Sequence, residues 1–461
     1  MTSAFTADAP AASLRGLCDG RIHLPDDPGY DVARMPWNVA VDQRPAAVAY
    51  PRSTADVVAV VRAARAAGLR VAPQGTGHNA GPLGPLDDVV LLRTSEMNGV
   101  SVDPVARTVR VLAGTLWQEA VEAAAAHDLT VLHGSSPDVG VVGYSLGGGM
   151  GWYARSLGLQ TNAITRAELV TADGEVLTVD DLHHPDLFWA LRGSAGNLGI
   201  VTELEFRAFA FTTAYAGMLV WDWEHASRVL PAWARWAVDA PDAVTTSFRL
   251  LQLPPIPDIP EPFRGRQLVV IDGAVRGDDA AAEELLAPLR GLAPELDTFA
   301  RVPTHTLTRL HMDPEGPTPA VSQSAVLSEL PADAIDQLLA IGGPGSGSTL
   351  LMVELRQLGG ALARPAPGAG ALPSLEGRFV LFAGGIAATP EMAAQGLADA
   401  ARVVGSVRPW VASTHYLNFA EEPIDVGSAF GRSEWQRLSR ICGEVDPDGV
   451  VLANHHVPRA G

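Results

Sequence analysis

Hydrophobic positions along the chain alternate between two periods. Ala46 to Tyr50 form a short apolar run, and Pro51 to Thr54 interrupt it. A helix is then predicted, because Ser53 and Asp56 have capping-box spacing and Val57, Val58, Val61 and Ala64 share one helical face. Gly68 ends it, and Arg70 to Pro73 reads as a buried strand running into Gly75-Thr76-Gly77-His78-Asn79. Further strands are expected at Val89 to Leu92 and Thr108 to Leu112, with a helix from about Trp117 to His127 and another ending near Gly158. Glu168 to Thr171 and Val176 to Val179 flank the hairpin signal Asp173-Gly174, and Glu203, Glu205 and Arg207 alternate with Leu204 and Phe206 as in a half-buried strand.

From about Ala208 the texture changes. Proline-rich Pro254 to Pro262 and the Gly/Pro/Ala run Gly359 to Pro373 break up strand-like segments (Gln267 to Ile271, Leu350 to Leu355, Phe379 to Phe382) and helical ones (Asp279 to Leu289, Pro390 to Val404). The last fifty residues return to a compact pattern, with Ser433 to Cys442 helical and a turn at Asp446 to Gly449 before Val450 to Ala453. The expectation is an α+β protein in three stretches: residues 1–207, an inserted unit of antiparallel sheet backed by helices over 208–412, and a returning segment over 413–461. At 461 residues one core is exceeded, which leaves room for a cleft between units.

Charge narrows the partners. The formal net charge is −19 and all 33 basic residues are arginine. Such a balance repels polyanions, so nucleic acid and anionic membrane surfaces are not expected partners. Lysine-dependent chemistry, including Schiff bases and a P-loop lysine, is excluded. Cys18 and Cys442 make neither a disulfide framework nor a metal cluster, and read as free structural thiols. Met1 to Gly20 lacks the basic and apolar regions of a signal peptide, and no apolar run is long enough to span a bilayer, so a cytoplasmic location is expected. Adjacent His455 and His456 point opposite ways on an extended segment, and no metal is expected.

Two glycine-rich segments carry the chemistry. Gly140 to Gly151 contains six glycines in twelve residues. It is either a tight backbone crossing or a loop whose amides cradle a pyrophosphate before a helix. Its spacing is not that of a Rossmann fingerprint. His78, set among Gly75, Thr76, Gly77 and Asn79 at the mouth of a strand, is either a satisfied polar side chain or a nucleophile for a flavin methyl carbon.

These segments, with Pro51 to Val57, Gly158-Leu159, Asp186 to Gly193, Gly196 to Thr202, Tyr416-Leu417-Asn418-Phe419 and Asp446-Pro447, are together similar to the berberine-bridge-enzyme-like oxidoreductases of the vanillyl-alcohol-oxidase superfamily, with its PCMH-type FAD-binding domain. The resemblance implies FAD bound covalently through the 8α-methyl group to His78. Ser136 stands where many relatives carry a second, cysteinyl link, which implies attachment at one residue. It further implies cofactor contacts from Gln74, Gly75, Thr76, Gly77, Asn79, Val139, Gly140, Gly143, Leu146, Gly147, Gly148, Gly149, Gly151, Gly199, Ile200, Asn418 and Asn454.

The implied activity is oxidation of a small or secondary-metabolite alcohol, amine or ketone with dioxygen as acceptor. An oxygenating, rearranging or pericyclic tailoring enzyme and a redox-silent flavin-binding module are the alternatives. The arginine-rich, lysine-free composition also resembles that of high-GC soil bacteria, in which such enzymes often tailor natural products. Tyr416 is the first candidate for the proton-removing group. Its other reading is an aromatic residue packed at a domain seam. Glu354, alternating with Arg356 on a strand, faces the cleft or forms an ion pair, and Tyr144 lies inside the glycine run. A monomer or homodimer is expected.

Overall fold

A computed structural model describes residues 10–459; residues 1–9 and 460–461, the ends of the outer stretches above, lie outside it. Three sheets organise the described chain. The first joins Ile22–His23, Ala47–Ala49, Val89–Arg93 and Arg70–Gln74 in that spatial order. Its last three strands are parallel, and Thr54–Ala66 makes the crossover. That helix starts as its sequence predicts: Ser53 Oγ accepts the Asp56 amide and Asp56 accepts the Ser53 amide. The second sheet is antiparallel and has five strands, Val100–Asp103, Thr108–Leu112, Ile200–Arg207, Ile164–Val170 and Val176–Val179.

The third sheet has eight antiparallel strands between Thr213 and Ile386. Its two faces differ because side chains alternate with period two. Phe248, Leu250, Ile271, Val353, Leu355, Phe379 and Leu381 enter one core with helices Ala226–Asp239, Ala332–Gly342 and Pro390–Ser406. The alternate positions carry Ser247, Arg249, Asp272, Glu354, Arg356 and Phe382. A one-residue slip of any strand would exchange these sets, so register here is a condition of the site.

One sequence expectation is corrected. Val141–Leu146 is itself helical, so the glycine run contains a helix rather than preceding one; the second helix, Ala154–Leu157, is one turn long. The Gly359 to Pro373 run is anchored by backbone hydrogen bonds. It crosses to the first unit, where Ala371 donates to the Trp189 carbonyl and Leu372 to that of Arg192, both residues being buried. The returning segment closes the molecule: Val71 donates to the Val450 carbonyl and Leu452 to that of Val71, while Leu438, Ile441 and Cys442 of Arg432–Val445 enter the core of the second sheet.

Cys18 and Cys442 are both buried, and desolvation pushes each thiol up to about 12. No helix among the described residues is long and apolar enough to cross a membrane.

Arg155 joins the units. Its side chain is buried with no carboxylate partner, and its guanidinium donates to the carbonyls of Val244 (2.8 Å), Ala240 (2.7 Å), Pro241 (3.3 Å) and Leu358. Removing it leaves buried carbonyls unsatisfied, each costing roughly 1–3 kcal/mol. Arg155→Met should therefore lower the thermal midpoint by at least about 5 °C. Arg155→Lys should not restore it, since an ammonium cannot span the fork. A midpoint within about 1 °C of the parent in both variants would show that the clamp contributes little.

Candidate functional site

A cavity of about 440 Å³ lies between the glycine-rich segments of the first unit and the polar face of the third sheet. One wall is Gln74, Gly75, Thr76, Gly77, His78 and Asn79, where the strand Arg70–Gln74 leaves its sheet. Gly77 has φ +84°, and a Cβ there would lie 2.7 Å from Pro36, so this turn requires glycine. The returning segment pins the same turn: Asn454 donates to the Asn79 carbonyl and Asn79 Nδ2 to the Leu417 carbonyl at 3.3 Å.

His78 is held by neighbours on three sides. Its ring stacks on Trp37 with centroids 4.1 Å apart and planes 17° from parallel. Nδ1 lies 2.7 Å from Thr76 Oγ1. Nε2 is buried without a hydrogen-bond partner and faces Asp138 Oδ1 at 3.5 Å. Asp138 in turn accepts Ser136 Oγ (2.9 Å), Trp37 Nε1 (2.7 Å) and the Gly316 amide (2.8 Å). Burial works against ionisation of this carboxyl, but His78, the Gly316 amide and the Trp37 indole together hold it below the usual carboxylate range.

The glycine run divides by role. Val139, Gly140, Gly143, Leu146 and Gly147 line the cavity. At Gly140 an added Cβ would meet nothing nearer than 3.9 Å, and at Gly143 nothing within 4 Å, so this part of the floor is open. Gly148, Gly149 and Gly151, expected to touch a ligand, do not line the cavity. They are close-packing positions instead, where a Cβ would lie 3.0 Å from Tyr416, 2.5 Å from Tyr144 and 1.8 Å from the His133 carbonyl respectively. Ile200 is likewise corrected: it is fully buried in the core beside Val170, while Gly199 and Val201 border the cavity. Asn418 lines the cavity and donates to the Tyr144 carbonyl at 3.0 Å.

Tyr416, Tyr144 and Glu354 all reach the cavity wall. Tyr416 is only 3 % exposed and packs with Met150, Leu372 and Leu375. Burial raises its phenol above the ordinary value, opposed by the Met150 amide and the charge of Arg356. Tyr144 packs edge-on against Trp117, and its hydroxyl is buried without a partner. Burial raises this phenol further still.

Glu354 is a buried ion-pair member. Its Oε1 accepts Arg356 Nε at 2.6 Å and faces His311 Nε2 at 3.2 Å. His311 Nδ1 lies 2.8 Å from Asp272 Oδ2, which also takes Arg249 Nη2 at 2.6 Å. Burial and Arg249 oppose protonation of His311, yet Asp272, Asp313 and Glu354 outweigh them and push it up to about 9. Burial likewise opposes ionisation of Glu354, and Arg356 and His311 hold its carboxyl well below the usual range. His455 is buried with Nε2 2.9 Å from the Leu417 carbonyl, whereas His456 faces Arg459, so the two rings diverge.

Several of these residues escape a sequence reading. Asp272 carried a usable signal, being a lone carboxylate in the apolar run Leu268 to Val275. Trp37, Asp138, His311 and Asp313 carried none, because only the fold brings them together.

The residues fit a long dinucleotide such as FAD. One continuous cavity joins the His78 turn to the open floor at Gly140 and Gly143. It also holds two buried polar atoms without partners, His78 Nε2 and Tyr144 Oη.

Comparison with known proteins agrees. Residues 45–180 match the FAD binding domain family. The chain is 35% identical over 226 residues to a glucooligosaccharide oxidase of Sarocladium strictum, covering 48% of this chain and 45% of that protein. It is 34% identical over 203 residues to an (R)-6-hydroxynicotine oxidase of Paenarthrobacter nicotinovorans, covering 44% of each. These matches span just under half the length of either relative. The fold extends further: Physcomitrella patens BBE-like 1 superposes with a TM-score of 0.83 at 21% identity, over 96% of this chain and 97% of that one. Residues 45–180 thus carry an FAD binding domain, and the whole chain has the fold of Physcomitrella patens BBE-like 1.

Proposed function

We propose that this protein is an FAD-linked oxidase which carries its cofactor covalently on His78 alone and oxidises a small or secondary-metabolite alcohol, amine or ketone. In this reading residues 1–207 and 413–461 hold FAD and residues 208–412 shape the substrate pocket. The observation that carries it is the single cavity running from His78 to the polar sheet face at Glu354 and Arg356. Relatives described as oxidases of a hydroxynicotine and of an oligosaccharide support the reaction class. When bound, FAD supplies a two-electron acceptor that takes hydride from substrate and is reoxidised by dioxygen to give peroxide. Ser136 has no thiol with which to make a second bond.

The chain's own residues divide the remaining work. Met352, Phe382, Phe419, Val321 and Ile386 offer apolar surface to the substrate body, which water must leave for binding. Arg356 keeps Glu354 ionised, so Glu354 is a weak base and serves to fix the guanidinium. Tyr416 is the proposed proton acceptor. Burial raises its phenol, so the phenol proton must first leave to solvent through the cavity; the Met150 and Gly149 amides and Arg356 would stabilise the phenolate, which then takes the substrate proton as hydride is lost.

Protein precipitated in acid should stay yellow, and His78→Ala should release the colour into the supernatant. A colourless pellet from the unaltered protein removes the covalent reading. Tyr416→Phe should slow anaerobic flavin reduction by about 10²-fold or more with FAD content unchanged. If stopped-flow reduction runs at the parent rate, Tyr416 has no part in proton transfer.

A further inference from the structure

We infer that Asp138 is a positioning residue for flavin attachment: it fixes the tautomer of His78 and neutralises the charge His78 acquires on bonding. The inference rests on the covalent reading above and concerns what makes His78, among twelve histidines, the reactive one.

The donor pattern sets the tautomer. Asp138 has four good lone-pair directions, and three are filled by groups that only donate in this arrangement: Trp37 Nε1, the Gly316 amide and Ser136 Oγ. The fourth faces His78 Nε2. An ionised carboxylate accepts and cannot donate, so it favours the imidazole tautomer that presents Nε2–H towards it. Nδ1 is then the nitrogen with a free lone pair, and Thr76 Oγ1, at 2.7 Å, is placed to donate to it. Trp37 performs two tasks, since its ring stacks on the imidazole while its Nε1 holds the carboxylate. The plane of His78 and the position of its counter-charge are thereby set by one side chain.

The covalent step needs this counter-charge. Nδ1 forms a bond to the 8α-carbon of FAD, and that carbon loses a proton. The electron pair of the broken C–H bond enters the ring system, and dioxygen later removes two electrons to give peroxide. Having spent its lone pair, the imidazole is left cationic with its Nε2 proton in place, 3.5 Å from Asp138 Oδ1. Asp138, held ionised, does not take that proton; it compensates the charge in a half-buried site. Ser136 acquires a role here. At the position where relatives carry a second attachment point, this chain places a hydroxyl that orients the carboxylate of the first.

Asp138→Asn keeps the shape and removes the charge, and the test reads two quantities: total FAD per chain, and the fraction that stays with acid-precipitated protein. The expected result is near-normal total FAD with attachment to freshly added cofactor slowed at least about tenfold, a fall in flavin midpoint potential, and partial recovery in Asp138→Glu. A merely structural role would lower total FAD and leave the attached fraction and the potential of bound flavin unchanged. If Asp138→Asn yields no folded protein, Trp37→Phe decides, since it keeps the stack and removes one donor: slower attachment supports the inference and an unchanged rate overturns it. An Asp138→Asn protein that attaches flavin at the parent rate overturns it too, while the parent stays yellow in acid. A parent that loses its colour in acid refutes the covalent reading itself.

Discussion

The architecture turns on a single buried guanidinium. Arg155 sits at the foot of the glycine crossing and gives its protons to carbonyls of the third sheet's connections and of the chain leaving Met352–Gln357. Among the described residues no carboxylate hydrogen-bonds to it, so its contacts are to backbone dipoles and have direction. It sets the sheet's polar face opposite the His78 turn. The cavity is a consequence of that placement: neither unit encloses it alone, and every residue assigned a role at Glu354, Arg356 or Tyr416 depends on the two surfaces meeting in one register.

Much of this was legible in the chain where causes are local. The helix Thr54–Ala66 announces itself by Ser53 and Asp56, and the third sheet by alternation of apolar and other residues. The His78 turn and the glycine run stand out by composition. What stayed hidden was set by distant partners. Nothing near Gly149 in sequence says that its missing side chain makes room for Tyr144 and Gln160 rather than for a ligand. Strand parity decides between Ile200 and Val201, and parity is fixed by which neighbour the strand pairs with. Asp138 lies between Ser136 and the glycine run yet is silent in the sequence, because Trp37 and Gly316, which give it meaning, are 101 and 178 residues away.

The buried charges beneath the pocket show a related economy. Arg249, Asp272, His311, Glu354 and Arg356 form a contiguous network whose internal pairs satisfy one another. Such clusters rarely add stability over apolar packing, since desolvation offsets their attraction. Their value is geometric. Arg356, held by Glu354 and Ser135 and lying 5.0 Å over Phe419, cannot swing away when the pocket fills. The wall facing a substrate is therefore preorganised rather than adaptable.

The two cysteines gain a different significance if, as proposed, the chain hands electrons to dioxygen. Peroxide attacks sulfur as thiolate, and the first molecules to meet newly formed peroxide are those of the catalyst. With Cys18 and Cys442 buried and their thiols pushed up to about 12, the thiolate population at neutral pH is roughly one in 10⁵. The interior that shelters them for packing would thus also protect their sulfur from the peroxide of the proposed reaction.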